Sequence, residues 1–367
     1  MTLDAPQKQR LIAFAQRLID QTSANTIVPP QRPGTGHWFG GGNMVQDAAG
    51  KLWLVGRFRN HGDSRTGLGM GERGLELAVF GSDDQGKNWR KEVSFSKSDL
   101  DVGEHKVLSI EGTALRLTES GVELYLSTEK SGISYPSDVS DFLKPGTGVW
   151  TIDRIVADSV AGLAGLSPQT ILSSDDPRFV QVKDPFLYKA RDQTHLMYCT
   201  HPFCWSSSNT GYVPLSAESK IADSPNNDFF PRGFTWDVAM TRGTAILDVP
   251  NVGQFADTNA SLFFYDGGEC VRDLDQHKSA VTRPRGYSCE ELGGLACLTD
   301  HDFSSIERLS VNAPMFVSPH GTGCSRYVDV LATEDGFYAT WQQSQDDHSQ
   351  PLVMNFVSAT EAAELLS

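Results

Sequence analysis

The 367-residue sequence has no apolar run approaching the roughly 20 residues that a helical membrane span needs. Positive charge is also short: 31 Lys and Arg stand against 46 Asp and Glu, for a net charge of −15. The basic footprint expected of a general nucleic-acid or anionic-membrane binder is therefore missing, and neither partner is expected. Cysteine is sparse and scattered, at positions 199, 204, 270, 289, 297 and 324, with no Cys-x-x-Cys pair for a zinc or redox site. Reduced thiols in a cytoplasmic chain are the expectation, since the first residues carry no basic stretch followed by an uninterrupted apolar one. No phosphate-cradling Walker loop or Gly-x-Ser-x-Gly elbow occurs, and Gly69-Met70-Gly71 lacks the strand–turn–helix setting of a dinucleotide site.

What is present is punctuation. Residues 5–21 place Leu11, Ile12, Phe14, Ala15, Leu18 and Ile19 at helical spacing, which predicts an amphipathic cap within residues 1–30. Beyond it, short apolar runs alternate with Gly, Asn, Asp and Ser. The predicted strands are 52–58, 75–81, 112–117, 122–127, 149–155, 185–189, 195–200, 234–240, 260–265, 292–298, 326–333, 336–342 and 352–357. Five groups open on Gly41-Gly42-Asn43, Ile110-Glu111-Gly112, Lys183-Asp184-Pro185, Asp257-Thr258-Asn259 and Ser325-Arg326-Tyr327. Their spacing of about 70 residues exceeds the ~40–45 of a plain four-stranded blade, so each group carries an insertion. No linker divides the chain. Residues 31–367 are expected to form one all-β, five-bladed β-propeller.

Ser82-Asp83-Asp84-Gln85-Gly86-Lys87-Asn88-Trp89 matches Ser-x-Asp-x-Gly-x-x-Trp at every fixed position. A self-capped turn follows from it: Asp84 accepts backbone N–H bonds, Gly86 takes a positive φ and Trp89 plugs between sheets. The motif resembles the Asp-box of sialidases and other carbohydrate-active propellers, which implies a turn between third and fourth strands, away from the active face. Thr299-Asp300-His301-Asp302-Phe303, before a predicted strand 304–310, resembles a degenerate second copy. With that orientation, the loops between second and third strands, 57–74, 128–148, 201–233, 266–291 and 343–351, gather on the opposite rim, where loops carry function.

Glu111 and Asp184 are placed at the channel mouth by their openings, and Glu290 or Glu291 re-enters the fourth blade from the same face. Glycoside hydrolysis needs two carboxyl groups, one protonated and one ionised, and these four are the catalytic candidates. Lys183-Asp184-Pro185-Phe186 before an apolar strand resembles the opening seen in five-bladed glycosidases of the arabinanase/xylosidase, invertase and neoagarobiose-hydrolase type. The resemblance implies that Asp184 orients substrate and tunes the acid. Those families also place an Asp in the first blade and a Glu in the fourth, whereas this chain has Asn43 in the first and Glu111 ahead of Asp184.

The candidate substrate-binding residues surround these. Arg57, Arg59, His61 and Arg65 share one loop and suit an anionic group, since guanidinium forks bind carboxylate, sulfate or phosphate. Asn43, His201, Trp205, Asn209, Arg326 and Tyr327 complete the set, Trp205 as a stacking face beside short polar groups. No cofactor is required by this reading. A divalent metal at the mouth, through His61, His201 and His320, is the alternative to histidines that only touch substrate. The reading is an exo-acting glycoside hydrolase with a small carbohydrate as its partner. A glycoside phosphorylase, a uronate lyase and a non-catalytic binding propeller are the alternatives.

Overall fold

A computed structural model describes residues 2–59, 74–135, 137, 148–174, 176–202, 207–269 and 291–367. Helix α1 (Ala5–Leu18) is shorter than its pattern predicts and starts at a capping box in which Asp4 and Gln7 satisfy each other's backbone N–H. Leu11, Phe14, Ala15 and Leu18 form its buried stripe. The strands fall into five antiparallel groups of four. Blade 1 has an inner strand split into β2 (Trp38–Gly40) and β3 (Met44–Gln46), then β4 (Leu52–Arg59), β5 (Glu76–Ser82) and β6 (Arg90–Ser96). Blade 2 comprises β7 (Val107–Thr118), β8 (Gly121–Lys130), β9 (Val149–Ala157) and β10 (Gln169–Leu172). Blade 3 comprises β11 (Val180–Ala190), β12 (Gln193–His201), β13 (Asn209–Pro214) and β14 (Asn226–Phe230). Blade 4 comprises β15 (Met240–Asp248), β16 (Ala260–Gly268), β17 (Leu292–Thr299) and the two-residue β18 (Glu307–Arg308). Blade 5 runs β19 (Ser325–Ala332), β20 (Gly336–Gln343) and β21 (Leu352–Ser358), and β1 (Asn25–Val28) pairs with β21 as its outer strand.

The ring is closed by five apolar seams. Val79 and Phe95 meet Leu115 and Leu124 between blades 1 and 2, and Tyr125 and Ile152 meet Val182 and Leu196 between blades 2 and 3. Phe186 and Phe230 meet Phe263 and Tyr265 in the next seam. Leu262 and Phe264 meet Ala339 and Trp341 in the fourth, where α1 also docks. Phe39 and Leu54 return to Tyr338 and Leu352 of blade 5. With every blade buried on both faces, the seams supply the hydrophobic stabilisation that no single four-stranded sheet could supply alone.

Three expectations need correction. Of the predicted strand 234–240 only Met240 is in a strand: Trp236 turns inward and donates Nε1–H to the Ser310 carbonyl at 2.8 Å, while Phe234 is 99% exposed. The fourth inner strand is instead β15, whose Thr241, Arg242, Gly243 and Thr244 dilute the apolar alternation. The expected fourth opening at 257–260 leads into β16, a second strand. The third-blade span 201–233 also contains β13 and β14, so its second-to-third loop is only 202–208. The Ser82–Trp89 turn joins β5 and β6 as its motif implies. Asp84 Oδ1 accepts from Ser82 Oγ (2.8 Å) and Asn88 N (2.9 Å), and Trp89 Nε1 donates to the Gly86 carbonyl (3.0 Å).

Inner strands of adjacent blades do not pair as a sheet, so their channel-facing N–H groups need other acceptors. Side chains of neighbouring blades supply them. Asn43 accepts from Leu115 N at 2.7 Å, Asp184 from Gly112 N at 2.9 Å, and Thr210 Oγ1 from Gly243 N at 2.7 Å. Asp266 accepts from Tyr327 N at 3.0 Å and Asp329 from Met44 N at 2.8 Å. Burial pushes the Asp329 carboxyl up to about 7. A carboxyl raised in the folded state contributes stability below its unfolded value near 4 and loses it as pH rises towards 7. Asp329→Asn keeps an acceptor for Met44 N without a charge. It is expected to raise stability at pH 8 by ~1–3 kcal/mol and by little at pH 4.5. Melting curves at both pH values check this, and an equal shift at both would refute it.

Candidate active site

All five inner strands break at the same level, and the breaks position the site. Blade 1 interrupts its strand at Gly41-Gly42-Asn43, and pairing shifts register at 110–113 in β7, 183–186 in β11, 243–245 in β15 and 326–329 in β19. Such bulges re-aim side chains, here Glu111, Asp184 and Tyr327. The openings are thus mid-strand bulges rather than strand starts. Asp184 and Tyr327 hold positive φ values of 52° and 53°, the strained backbone often found at functional sites. Two glycines permit the crowding: a Cβ on Gly41 would lie 1.6 Å from Arg57 Nη1, and one on Gly112 would lie 2.5 Å from Asp184 Oδ1.

A continuous charge network crosses the mouth. Arg57 Nη2 lies 3.4 Å from Glu111 Oε2 and donates to Tyr327 OH at 3.1 Å, with its guanidinium 4.7 Å from the centre of the Trp38 ring. Glu111 Oε1 accepts from Ser109 Oγ at 2.8 Å. Arg242 joins the other carboxylates, Nη1 standing 3.7 Å from Asp184 Oδ2 and Nη2 donating to Glu291 Oε1 at 2.5 Å. Arg326 Nη1 donates to the second Glu291 oxygen at 2.6 Å. Burial works to raise the Glu291 carboxyl, but Arg242 and then Arg326 outweigh it and hold it at about 2. Asp266, fully buried near this pair, is pushed well above the usual carboxylate range by burial and by the Glu291 charge. The two neighbouring carboxyls are thereby pushed in opposite directions.

His201 ends β12 with Nδ1 2.5 Å from the Ser207 carbonyl, which can only accept, so Nδ1 carries the proton. Burial, then Lys183 and Arg242, push its pKa well below the ordinary histidine value, leaving a neutral imidazole. Burial also pushes the Cys199 thiol, 3.7 Å from Asp184 Oδ2, up to about 12, which leaves it a poor nucleophile.

The structure therefore brings together Glu111, Asp184, Glu291, Arg57, Arg326 and Tyr327, with His201 at the edge. Asn43 spans to blade 2 with both amide atoms on the Leu115 backbone. Arg59 is buried 6.0 Å from the centre of the Trp38 ring. Asn209 binds Asp228 and Arg232 N and lines a separate hollow with Arg178 and Val238. His320 pairs with exposed Asp346 and does not converge with His201. His61, Arg65, Trp205 and Glu290 lie outside the described residues. Among the described residues no group of three or more His, Cys, Asp and Glu could hold a metal ion. No described helix is long and apolar enough to cross a membrane. Sequence reasoning missed Lys183, Arg242 and Asp266; the signal for Arg242 was the Arg-Gly step, a charged side chain before a residue without Cβ, as in Glu111-Gly112.

A closed ring of five blades defines the chain as an all-β, five-bladed propeller. No protein-family model and no curated protein matches the sequence. Among solved structures it is similar to the alpha-L-arabinofuranosidase from Lactobacillus brevis, with 9% identity over 92% of this chain and 93% of that one (TM-score 0.57). It is also similar to a structure described as a glycoside hydrolase, with 9% identity, 97% and 96% coverage and a TM-score of 0.63. The GH43_1 enzyme from Xanthomonas citri complexed with xylotriose matches with 11% identity, 96% and 94% coverage and a TM-score of 0.52. At these identities the likeness is one of fold.

Proposed function

We propose that this propeller is a glycoside hydrolase that acts at its channel mouth on the end of a short oligosaccharide. The observation that carries the reading is the convergence of Glu111, Asp184 and Glu291 from three blades on one network with Arg57, Arg242 and Arg326. The resemblance of the Asp184 opening to those of five-bladed glycosidases supports it, as does the similarity in fold to an arabinofuranosidase and to an enzyme complexed with xylotriose. In this reading Glu291 stays ionised to stabilise developing positive charge. Asp184 orients substrate, and Glu111, the least enclosed of the three, exchanges the proton.

The test is a screen of neutral and acidic aryl glycosides and short oligosaccharides, with and without phosphate and with and without chelator. Turnover of one class by the native protein, with at least a hundredfold loss in Asp184→Asn, is the expected result. Turnover that requires phosphate would make the enzyme a phosphorylase. A new absorbance near ~235 nm, from an unsaturated uronate, would make it a lyase. Silence across the panel would overturn the catalytic reading.

A further inference from the structure

The seam between blades 2 and 3 ends, beside Asp184, in hydrogen-bond donors that have no acceptor among the described residues. Gln181, 1% exposed and with φ of 65°, accepts at Oε1 from Trp150 N (2.7 Å) and from the Tyr135 hydroxyl (3.2 Å). Those two bonds fix which way its amide faces, and Nε2 is left buried with no described partner. The indole Nε1–H of Trp150, a residue 8% exposed, is likewise buried and unpartnered among the described residues. Lys183 Nζ lies 5.8 Å from the centre of the Trp150 ring and 4.0 Å from Asp184 Oδ2, a long ion pair. Buried N–H groups without acceptors carry a desolvation penalty, which a ligand oxygen would remove. The wider mouth points to the same ligand. Arg57, Lys183, Arg242 and Arg326 supply four cations, gathered among the carboxyl groups of Glu111, Asp184, Glu291 and Asp266. In a chain of net charge −15 four cations gathered at one mouth are a feature of the site rather than of the composition.

From these groups we infer that Lys183, with Gln181 Nε2 and Trp150 Nε1, forms a subsite for the carboxylate of an acidic sugar of the uronic-acid class. The inference rests on reading the mouth as a sugar site and names the sugar it takes. A carboxylate offers two oxygens with several lone pairs, matching one ammonium and two N–H donors without placing a donor against a donor. A neutral hexose would present a hydroxymethyl group there, one uncharged oxygen in place of the two that a carboxylate offers these donors.

Equilibrium binding tests this independently of turnover. Free glucuronate and galacturonate are titrated against glucose and galactose, with inorganic phosphate as a further arm, by calorimetry on the full chain. The uronates are expected to bind about 10-fold or more tightly than their neutral counterparts. Lys183→Gln is expected to remove that preference, bringing uronate affinity down to that of the neutral sugars. Trp150→Phe keeps the ring volume and should weaken uronate binding several-fold, so the inference is still tested if the lysine variant does not fold. Equal binding of acid and neutral sugars would overturn it, as would unchanged uronate affinity in both variants. Phosphate that binds more tightly than either uronate with the same variant sensitivity would also overturn it. Selective uronate binding by a protein that hydrolyses no glycoside would uphold the subsite and sink the hydrolase reading.

Discussion

Glu111→Gln is expected to lower kcat by about 10²–10⁴-fold on whichever glycoside the native protein cleaves, with its melting temperature nearly unchanged. The two halves of this expectation have separate causes. Glu111 sits in the β7 bulge with its side chain 12% exposed, more open than Asp184 or Glu291, so it can meet both substrate and water. Its contacts include a 3.4 Å approach of Arg57 and a hydrogen bond from Ser109, neither of which closes it off from the mouth. The amide keeps the shape and removes the transferable proton. Arg57 keeps hydrogen-bond acceptors at Tyr327, Gly40 and Gly41 and the nearby charge of Asp184, so its buried guanidinium is not left wholly uncompensated. Steady-state kinetics beside a thermal melt decides the matter. Turnover within threefold of native would remove Glu111 from the chemistry, and a collapse of the melting temperature would show a structural role instead.

The fold was largely legible because its signals are local. The Ser82–Trp89 turn is specified by its own residues, and most predicted strands match the observed ones to within a few positions. What escaped depends on contacts between blades. β15 mixes Thr241, Arg242 and Gly243 into its sequence because that stretch lines the mouth, where Arg242 faces carboxylates while Thr241 bonds the Phe230 carbonyl of the neighbouring blade. Asp266 reads as an ordinary loop boundary, and only the folded ring turns it towards the Tyr327 backbone and Glu291. Asn43 fits a substrate contact in the sequence, yet the need for an acceptor on the neighbouring strand takes both ends of its amide. Single side chains announce the turns; the partners of a buried charge are set by strands about 70 residues away in a repeat of this length.

Arg242→Met should show how much of the site is held together by compensated charge. In the native protein Arg242 shares Glu291 with Arg326 and approaches Asp184, all within a buried shell. Deleting one partner of such a pair leaves the other desolvated and uncompensated, at about 3–5 kcal/mol. For a chain of 367 residues each kcal/mol moves the melting temperature by roughly 1–2 °C, so a fall of about 3–10 °C is expected at pH 7. The double variant Arg242→Met/Glu291→Gln should recover part of it, because the stranded carboxylate is gone. The pH dependence fixes the cause. Glu291 has its folded pKa depressed to about 2, so its stabilising contribution is present above about pH 4.3 and is lost as pH falls towards 2. The gap between native and Arg242→Met should therefore be widest near neutrality and narrow below pH 4. A gap that stays constant from pH 7 to pH 3, with no recovery in the double variant, would mean that Arg242 holds the mouth by packing and not by its charge.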